Sequence, residues 1–336
     1  MKNLYVIAEA GVNHNGSIDL AHKLIRTAAE IGANAVKFQS FTAEELAHTE
    51  TPKVPYQLDY SSKESHYEML SRLEITHHDQ KSLFEACFDF NIDFLSTPYS
   101  IAEAVFLNEL GVKYFKIASA DIVDLPLLKC VADFGKLTLL STGMANYIEI
   151  QNAVNIFNIK NCPLVLLACT SEYPTPSNRA RVQRIEKLRE FSPYGLGYSD
   201  HTNSNIASIL AVGAGATFLE KHLTLDNNLN GPDHAASLNP KDFANYVNSV
   251  QEALECLGDG SLGRTQGEEL MAATSRKSLH ASRFISKGEM LEEKDFILKR
   301  PGIGILYSEI NDLIGKRASC DIAKGEIIVH DSFKIL

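Results

Sequence analysis

The sequence contains no Cys-x-x-Cys pair. Its six cysteines, at 87, 130, 162, 169, 256 and 320, are scattered, and a chain of this size needs no disulfide framework. They read as reduced, mostly buried small hydrophobes. No apolar run approaches the roughly 20 residues of a membrane-spanning helix. The first residues carry a single lysine and an apolar stretch broken by Glu9, which is not a secretory pattern. Positive charge is also in short supply. The net charge of -10 excludes a broad electrostatic affinity for nucleic acid or acidic membranes, although an anionic substrate needs only a few local cations. Low-complexity tracts are absent too, and 45% hydrophobic with 22% charged residues over 336 positions suits one large globular domain plus a small one. These absences predict a cytoplasmic protein.

From the start to residue 257, short apolar runs alternate with longer amphipathic stretches. Strands are predicted at Leu4–Glu9, Ala35–Gln39, Asp93–Thr97, Val112–Ala118, Leu137–Ser141, Leu164–Ala168, Gly195–Ser199 and Ala216–Lys221. Helical patterns such as Ser17–Ile31, His77–Phe90, Ile101–Leu110, Ile148–Phe157 and Asn203–Val212 lie between them. Eight apolar strands separated by helices imply parallel pairing with right-handed crossovers, for which a (β/α)₈ TIM barrel is the simplest closure. A doubly wound open sheet is the rival arrangement. The polar segment Tyr56–Arg72, with several tyrosines, reads as an inserted loop over the barrel mouth. Residues 258–275 read as a linker, and 276–336 as a compact, mostly β domain with an internal repeat. There, Ile285-Ser-Lys-Gly-Glu-Met-Leu leads to Phe296 and Ile322-Ala-Lys-Gly-Glu-Ile-Ile leads to Phe333 in the same register, 37 residues apart. Each Lys-Gly-Glu predicts a tight turn, with glycine taking the positive φ.

Reactive groups of a (β/α)₈ barrel sit where strands end, and here nearly every strand ends on a polar residue. Those ends are Glu9, Lys37 with Gln39, Thr97, Lys116 with Ser119, Ser141, Thr170, Asp200 with His201, and Glu220-Lys221-His222. Lys37 and Lys116 are flanked by apolar neighbours, so each should face an anion or a structural carboxylate. With Thr97, Ser119 and the Ser141-Thr-Gly-Met turn they form the cation-plus-hydroxyl set that a phosphate needs. His201 and His222 stand one βα unit apart, a spacing open to two readings. They are rim residues, or a pair of neutral imidazoles for a divalent ion that also binds substrate oxygens. No cysteine lies at the spacing of a structural zinc site. Glu9 is either paired with a barrel lysine or an acid/base group whose pKa burial raises. Asp233, in the turn Gly231-Pro-Asp-His, could hold a sugar hydroxyl.

Several strings in fixed order carry a resemblance: Ile7-Ala-Glu-Ala-Gly-Val-Asn-His-Asn-Gly16, Lys37-Phe-Gln, Ser141-Thr-Gly-Met, Tyr173-Pro-Thr-Pro, Gly197-Tyr-Ser-Asp-His-Thr, Glu220-Lys-His, Gly231-Pro-Asp-His and Lys299-Arg-Pro-Gly. Together they resemble the sialic acid synthases, including the related N,N'-diacetyllegionaminate synthases, from the first strand to the final repeat. The resemblance implies a TIM barrel followed by an antifreeze-like (SAF) domain, a domain-swapped homodimer, and a divalent metal, Mn²⁺ or else Mg²⁺ or Co²⁺. It implies substrates as well, phosphoenolpyruvate and an N-acylated amino sugar.

Carried over position by position, it makes His201 and His222 metal ligands and Glu9 the acid/base residue. Lys37, Thr97, Lys116, Ser119 and Ser141 would bind phosphoenolpyruvate. Gln39, Tyr173 and Asp233 would contact the sugar, and Arg300 would reach the acyl-amino group from the partner chain. Two positions depart from the sialic acid synthase pattern: Asp121 replaces a Glu, and Ser171 replaces an Asn. Both are expected on the sugar side, where polar mismatch discriminates strongly. They resemble the relatives that accept 2,4-diacetamido-2,4,6-trideoxymannose. A Schiff-base aldolase using Lys37 or Lys116 and a non-catalytic sugar-binding protein are the alternatives.

Overall fold

The structure, a computed structural model, describes residues 4–53 and 64–334. The chain divides into two compact units, Met1–Asp259 and Gly260–Leu336.

In the first unit eight parallel strands form a nearly closed barrel: β1 Tyr5–Gly11, β2 Ala35–Ser40, β3 Asp93–Pro98, β4 Phe115–Ile117, β5 Thr138–Ser141, β6 Leu164–Cys169, β7 Leu196–Asp200 and β8 Phe218–His222. The hydrogen-bonded order is β3-β2-β1-β8-β7-β6-β5-β4. β3 and β4 lie side by side without a ladder, and β4 pairs with β5 over only three residues. That is shorter than the predicted Val112–Ala118. Around the barrel run α1 Ile18–Glu30, α2 Ala43–Leu46, α3 His66–Leu73, α4 His77–Asp89, α5 Ile101–Leu110, α6 Leu125–Asp133, α7 Tyr147–Ile159, α8 Arg184–Leu188, α9 Ile206–Gly213 and α10 Pro240–Leu257.

Local chemistry explains these boundaries. Ser17, Thr76 and Asn239 cap α1, α4 and α10 through their side chains, and Asn146 with Glu149 forms a capping box on α7. On α1 the buried Ala21, Leu24, Ile25 and Ala28 repeat with helical spacing and face the strands. Period-two alternation sorts the strand residues. Ile7, Ala35, Leu95, Leu139, Val165 and Leu167 fill the barrel interior, while Ala8, Val36, Phe38, Leu140, Leu166 and Ala168 pack outward against the helices.

The insertion at Tyr56–Arg72 is not all loop. Residues 54–63, with Tyr56 and Tyr60, lie outside the described residues, but α3 begins at a Ser65–Glu68 capping box. Its buried Met69, Leu70 and Leu73 pack with Val12, Phe41 and Ala43. Apolar spacing along this stretch favours helix over loop.

The second unit opens on a helix, α11 Gln266–Ser275, held by a Thr265–Glu268 capping box, within the stretch expected as a linker. Short antiparallel pairs follow: β9 Ser278–Ala281 with β10 Phe296–Lys299, and β11 Arg317–Ala318 with β12 Phe333–Lys334. Both predicted turns are present, with φ of 83° at Gly288 and 86° at Gly325. The repeat is also a symmetry of hydrogen bonding. Gly288 N donates to Ala318 O while Gly325 N donates to Ala281 O, each at 2.8 Å. Ile285 and Ile322 exchange both backbone bonds, at 3.0 and 2.8 Å, over a core that includes Leu291, Phe296, Ile310, Leu313 and Ile328.

Candidate active site

The alternation that fills the barrel also builds its mouth. One step above the apolar interior layer, Ile7 gives way to Glu9, Ala35 to Lys37, Leu95 to Thr97, Leu139 to Ser141, Leu167 to Cys169 and Phe218 to Glu220. These residues line a cavity of about 220 Å³ together with Gln39, Lys116, Ser119, Tyr173, Ser199, His201, His222 and Asp233. Eleven of the fourteen residues singled out in the sequence thus share one cavity. Asp121 and Ser171 do not line it; Ser171 adjoins it through a 2.9 Å hydrogen bond between its hydroxyl and that of Ser119. Arg300 belongs to the second unit, exposed before the cis Arg300–Pro301 peptide.

Four buried charges alternate across the mouth. Lys37 Nζ lies 2.7 Å from Glu9 Oε2 and 3.8 Å from Glu220 Oε2, and Lys116 Nζ lies 3.6 Å from Glu220 Oε1. Thr97 accepts from Lys37 at 3.0 Å, Gln39 donates to Glu9 at 3.2 Å, and Ser199 donates to Glu220 at 3.0 Å. Burial opposes ionisation of Glu220, but Lys116 and Lys37 outweigh it and hold the carboxyl down at about 2. Glu9 moves the other way. Burial, aided by the Glu220 charge, raises its pKa despite the Lys37 ammonium. Burial and the nearby Glu9 push Asp233 up to about 7. Two carboxyls that take up protons easily therefore sit beside one that stays ionised.

Glu220 is the group that the sequence reading passed over, although it stood in Glu220-Lys221-His222. Its neighbour Lys221 points outward, 2.9 Å from the buried Asp200 and over the Tyr246 ring. Only alternation along β8 tells the two apart. Gly11 has a φ of 51°, and a Cβ there would come within 3.2 Å of Glu9 Oε1 and 3.3 Å of Gln39 Nε2, so glycine keeps this corner open. The Asn13 amide donates to Leu223 O at 2.8 Å and Ser237 Oγ at 2.9 Å. It ties the loop after β1 to the loop that carries Asp233.

The ring centroids of His201 and His222 are 5.5 Å apart, and Tyr173 packs 4.2 Å from His201. His201 Nδ1 donates to Thr170 O at 2.9 Å, which leaves Nε2 as the lone-pair nitrogen. Burial, then the charges of His201 and Lys37, hold the His222 imidazole well below its usual range and hence neutral. Its Nδ1 is buried without a hydrogen bond among the described residues, 3.9 Å from Asp233 Oδ2. His222 thus offers a free lone pair. In His201 burial is outweighed by the Cys169 sulfur and the Thr170 carbonyl, which raise its pKa, so it offers Nε2 once the imidazolium gives up its second proton. Together they fit a divalent cation. No group of three or more His, Cys, Asp or Glu among the described residues could hold one, so such a cation would complete its shell with substrate oxygens and water. A second orphan is the Ser141 hydroxyl, buried at the cavity wall with no hydrogen-bond partner among the described residues; it is a donor prepared for an oxyanion.

Residues 24–262 match the NeuB family, and residues 276–334 match the SAF domain. The chain belongs to the NeuB family. It is 41% identical over 332 residues to an N,N'-diacetyllegionaminic acid synthase of Campylobacter jejuni, covering 98% of this chain and 99% of that one. To the enzyme of the same name from Legionella pneumophila it is 38% identical, covering 97% and 94%. Among solved structures it resembles an N-acetylneuraminic acid synthetase from Leptospira borgpetersenii in complex with citrate, with 35% identity and a TM-score of 0.72 over 80% of this chain and 90% of that one. Among the described residues no helix is long and apolar enough to cross a membrane.

Removing the charge of Glu220 alone leaves two buried ammonium groups with one carboxyl between them. Glu220→Gln is expected to destabilise the barrel by about 3–5 kcal/mol, read as a lowered urea midpoint. An unchanged midpoint would show that water already screens the cluster.

Proposed function

We propose that this NeuB-family chain condenses phosphoenolpyruvate with an N-acylated mannosamine-type sugar and water, giving a nine-carbon sialic-acid-type acid and phosphate. The observation that carries the reading is the mouth itself, where a cation-and-hydroxyl wall meets two raised carboxyls and the His201–His222 pair within one cavity. The acceptor we favour is 2,4-diacetamido-2,4,6-trideoxymannose. The names of the two legionaminic acid relatives support it, as does the resemblance at Asp121 and Ser171, which would act from outside the cavity lining.

Lys116, Ser119 and Ser141 would bind the phosphate, and Ser141 brings a hydroxyl with no competing partner among the described residues. Lys37, oriented by Thr97 and Glu9, would face the carboxylate side of phosphoenolpyruvate. The two substrates are held so that C3 of phosphoenolpyruvate meets the aldehyde carbon of the open-chain sugar. Glu9, whose raised pKa lets it carry a proton, would deliver that proton to the former aldehyde oxygen. Water adds at C2, and phosphate departs with cleavage of its C–O bond. His201 and His222 would hold a divalent ion, Mn²⁺ by resemblance, which polarises the aldehyde when bound. Gln39, Tyr173 and Asp233 would shape the sugar pocket. A Schiff-base aldolase would need a free amine. Lys37 is paired to Glu9 at 2.7 Å, which leaves Lys116, 3.6 Å from Glu220 with its pKa lowered by burial. A borohydride-trapped adduct with pyruvate would favour that reading.

Phosphate release from phosphoenolpyruvate with Mn²⁺ tests the reading. The diacetamido sugar is expected to support faster release than N-acetylmannosamine; the reverse order would overturn the acceptor assignment, and no release with either would overturn the reaction. Ser141→Ala is expected to raise KM for phosphoenolpyruvate roughly 10- to 100-fold, the worth of one hydrogen bond to a charged group, with kcat changed less. The resemblance also supports a domain-swapped homodimer in which Arg300 of one chain serves the site of the other. Mixing and re-pairing inactive Glu9→Gln with inactive Arg300→Ala chains should then recover about a quarter of wild-type activity. No recovery would place Arg300 with its own barrel.

A further inference from the structure

Behind the Ser119–Ser171 hydrogen bond lies a second cavity, of about 190 Å³. Ser119 lines the active-site cavity and Ser171 lines this one. The 2.9 Å bond between their hydroxyls makes the partition one layer of side chains thick. Gly143, after β5, presses on the same partition. A Cβ at that position would meet Ser171 Oγ at 2.2 Å, Cys169 Sγ at 2.9 Å and Ser119 Oγ at 3.2 Å. Only a glycine lets the loop come this close.

The second cavity is also lined by Arg179, Arg181 and Arg184 and by the single carboxylate of Glu172. Arg179 is paired with Glu172 at 3.2 Å, and Arg184 spends one N–H on the Cys169 carbonyl at 2.9 Å, leaving its other donors. The Arg181 guanidinium makes no hydrogen bond or ion pair among the described residues. Its backbone is held at φ 50°, a conformation that ordinary side chains avoid. The pocket thus has an excess of positive charge, fork-shaped donors and room for a small tetrahedral anion. Such donors match a phosphate geometrically as well as by charge.

We propose that this pocket is a second anion site, for a phosphate-class oxyanion, which takes up the phosphate leaving the donor subsite across the Ser119–Ser171 partition. The assignment of that phosphate as a product rests on the reaction proposed above; the existence of the anion site does not. In the first subsite, Lys116 and Ser141 face the reacting phosphoenolpyruvate. In the second, three arginines line the pocket. The two anions are separated by neutral hydroxyls, so both can be held at once.

The test uses the full chain, without acceptor sugar, so that phosphoenolpyruvate occupies the donor subsite unreacted. Inorganic phosphate is then titrated by calorimetry and by ³¹P NMR. Wild type is expected to bind one phosphate per chain alongside phosphoenolpyruvate. Arg181→Gln should weaken that binding at least about 10-fold, and Arg181→Lys should retain part of it. An unchanged denaturation midpoint without phosphate would confirm that the exposed Arg181 is not needed for folding. In turnover, added phosphate should inhibit wild type even at saturating phosphoenolpyruvate, and Arg181→Gln should lose that component. No phosphate bound beside phosphoenolpyruvate, or equal binding by wild type and Arg181→Gln, overturns the site. Phosphate binding beside phosphoenolpyruvate in a chain that turns over neither sugar would sink the proposed reaction and leave the anion site standing.

Discussion

Everything at the barrel mouth depends on the alternation of Glu9, Lys37, Glu220 and Lys116, four charges less than a tenth exposed and within reach of one another. An isolated buried ion would be intolerable, and a buried pair is at best a balance between desolvation and attraction. Alternation lets Lys37 and Glu220 each serve two neighbours; the Thr97 hydroxyl accepts from Lys37, while the Gln39 amide and the Ser199 hydroxyl donate to the carboxyls of Glu9 and Glu220. The cluster is therefore organised before any substrate arrives. That is the condition under which electrostatic groups act on a reaction without having to reorganise during it.

The same cluster explains why one cavity holds carboxyls of opposite character. Glu220 sits between two lysines and stays ionised, whereas Glu9 faces burial and the Glu220 charge, and Asp233 faces burial and the Glu9 charge. A cavity lined by lysines alone would bind anions and do little else. One lined by carboxyls alone would repel phosphoenolpyruvate. Mixing them strand by strand places an anion subsite and proton-carrying groups side by side.

Much of this was legible in the sequence because a (β/α)₈ barrel writes its site into strand ends. The eight strands and the helices Ile101–Leu110 and His77–Asp89 follow from periodicity and capping. Residues on inward positions, such as Lys37, Thr97 and Ser141, announce themselves as polar breaks in apolar runs. What stayed hidden depended on orientation or on packing between distant segments. Glu220 and Lys221 are adjacent and both buried, and only their direction separates a site residue from an outer ion pair. Cys169 reads as a small hydrophobe, yet its sulfur lies 3.7 Å from His201 Nδ1. The helix His66–Leu73 escaped notice within a polar insertion because its apolar face finds partners in Val12 and Phe41, far away in sequence. Asp121 and Ser171 were expected on the sugar side, but strand-end counting cannot tell a residue that lines a cavity from one in the layer behind it.

The repeat in the second unit has a consequence for how that unit holds together. Its donors and acceptors are reciprocal: what Gly288 and Ile285 offer is received by Ala318 and Ile322, and the return bonds run from Gly325 and Ile322 to Ala281 and Ile285. Neither half can satisfy its own backbone, so an isolated half would expose polar groups that folded chains rarely leave unmet. Once one set of exchanges closes, the loop entropy for the other is already spent. The unit should accordingly behave as a single cooperative body with no partly ordered state between, its two halves gaining and losing amide protection together.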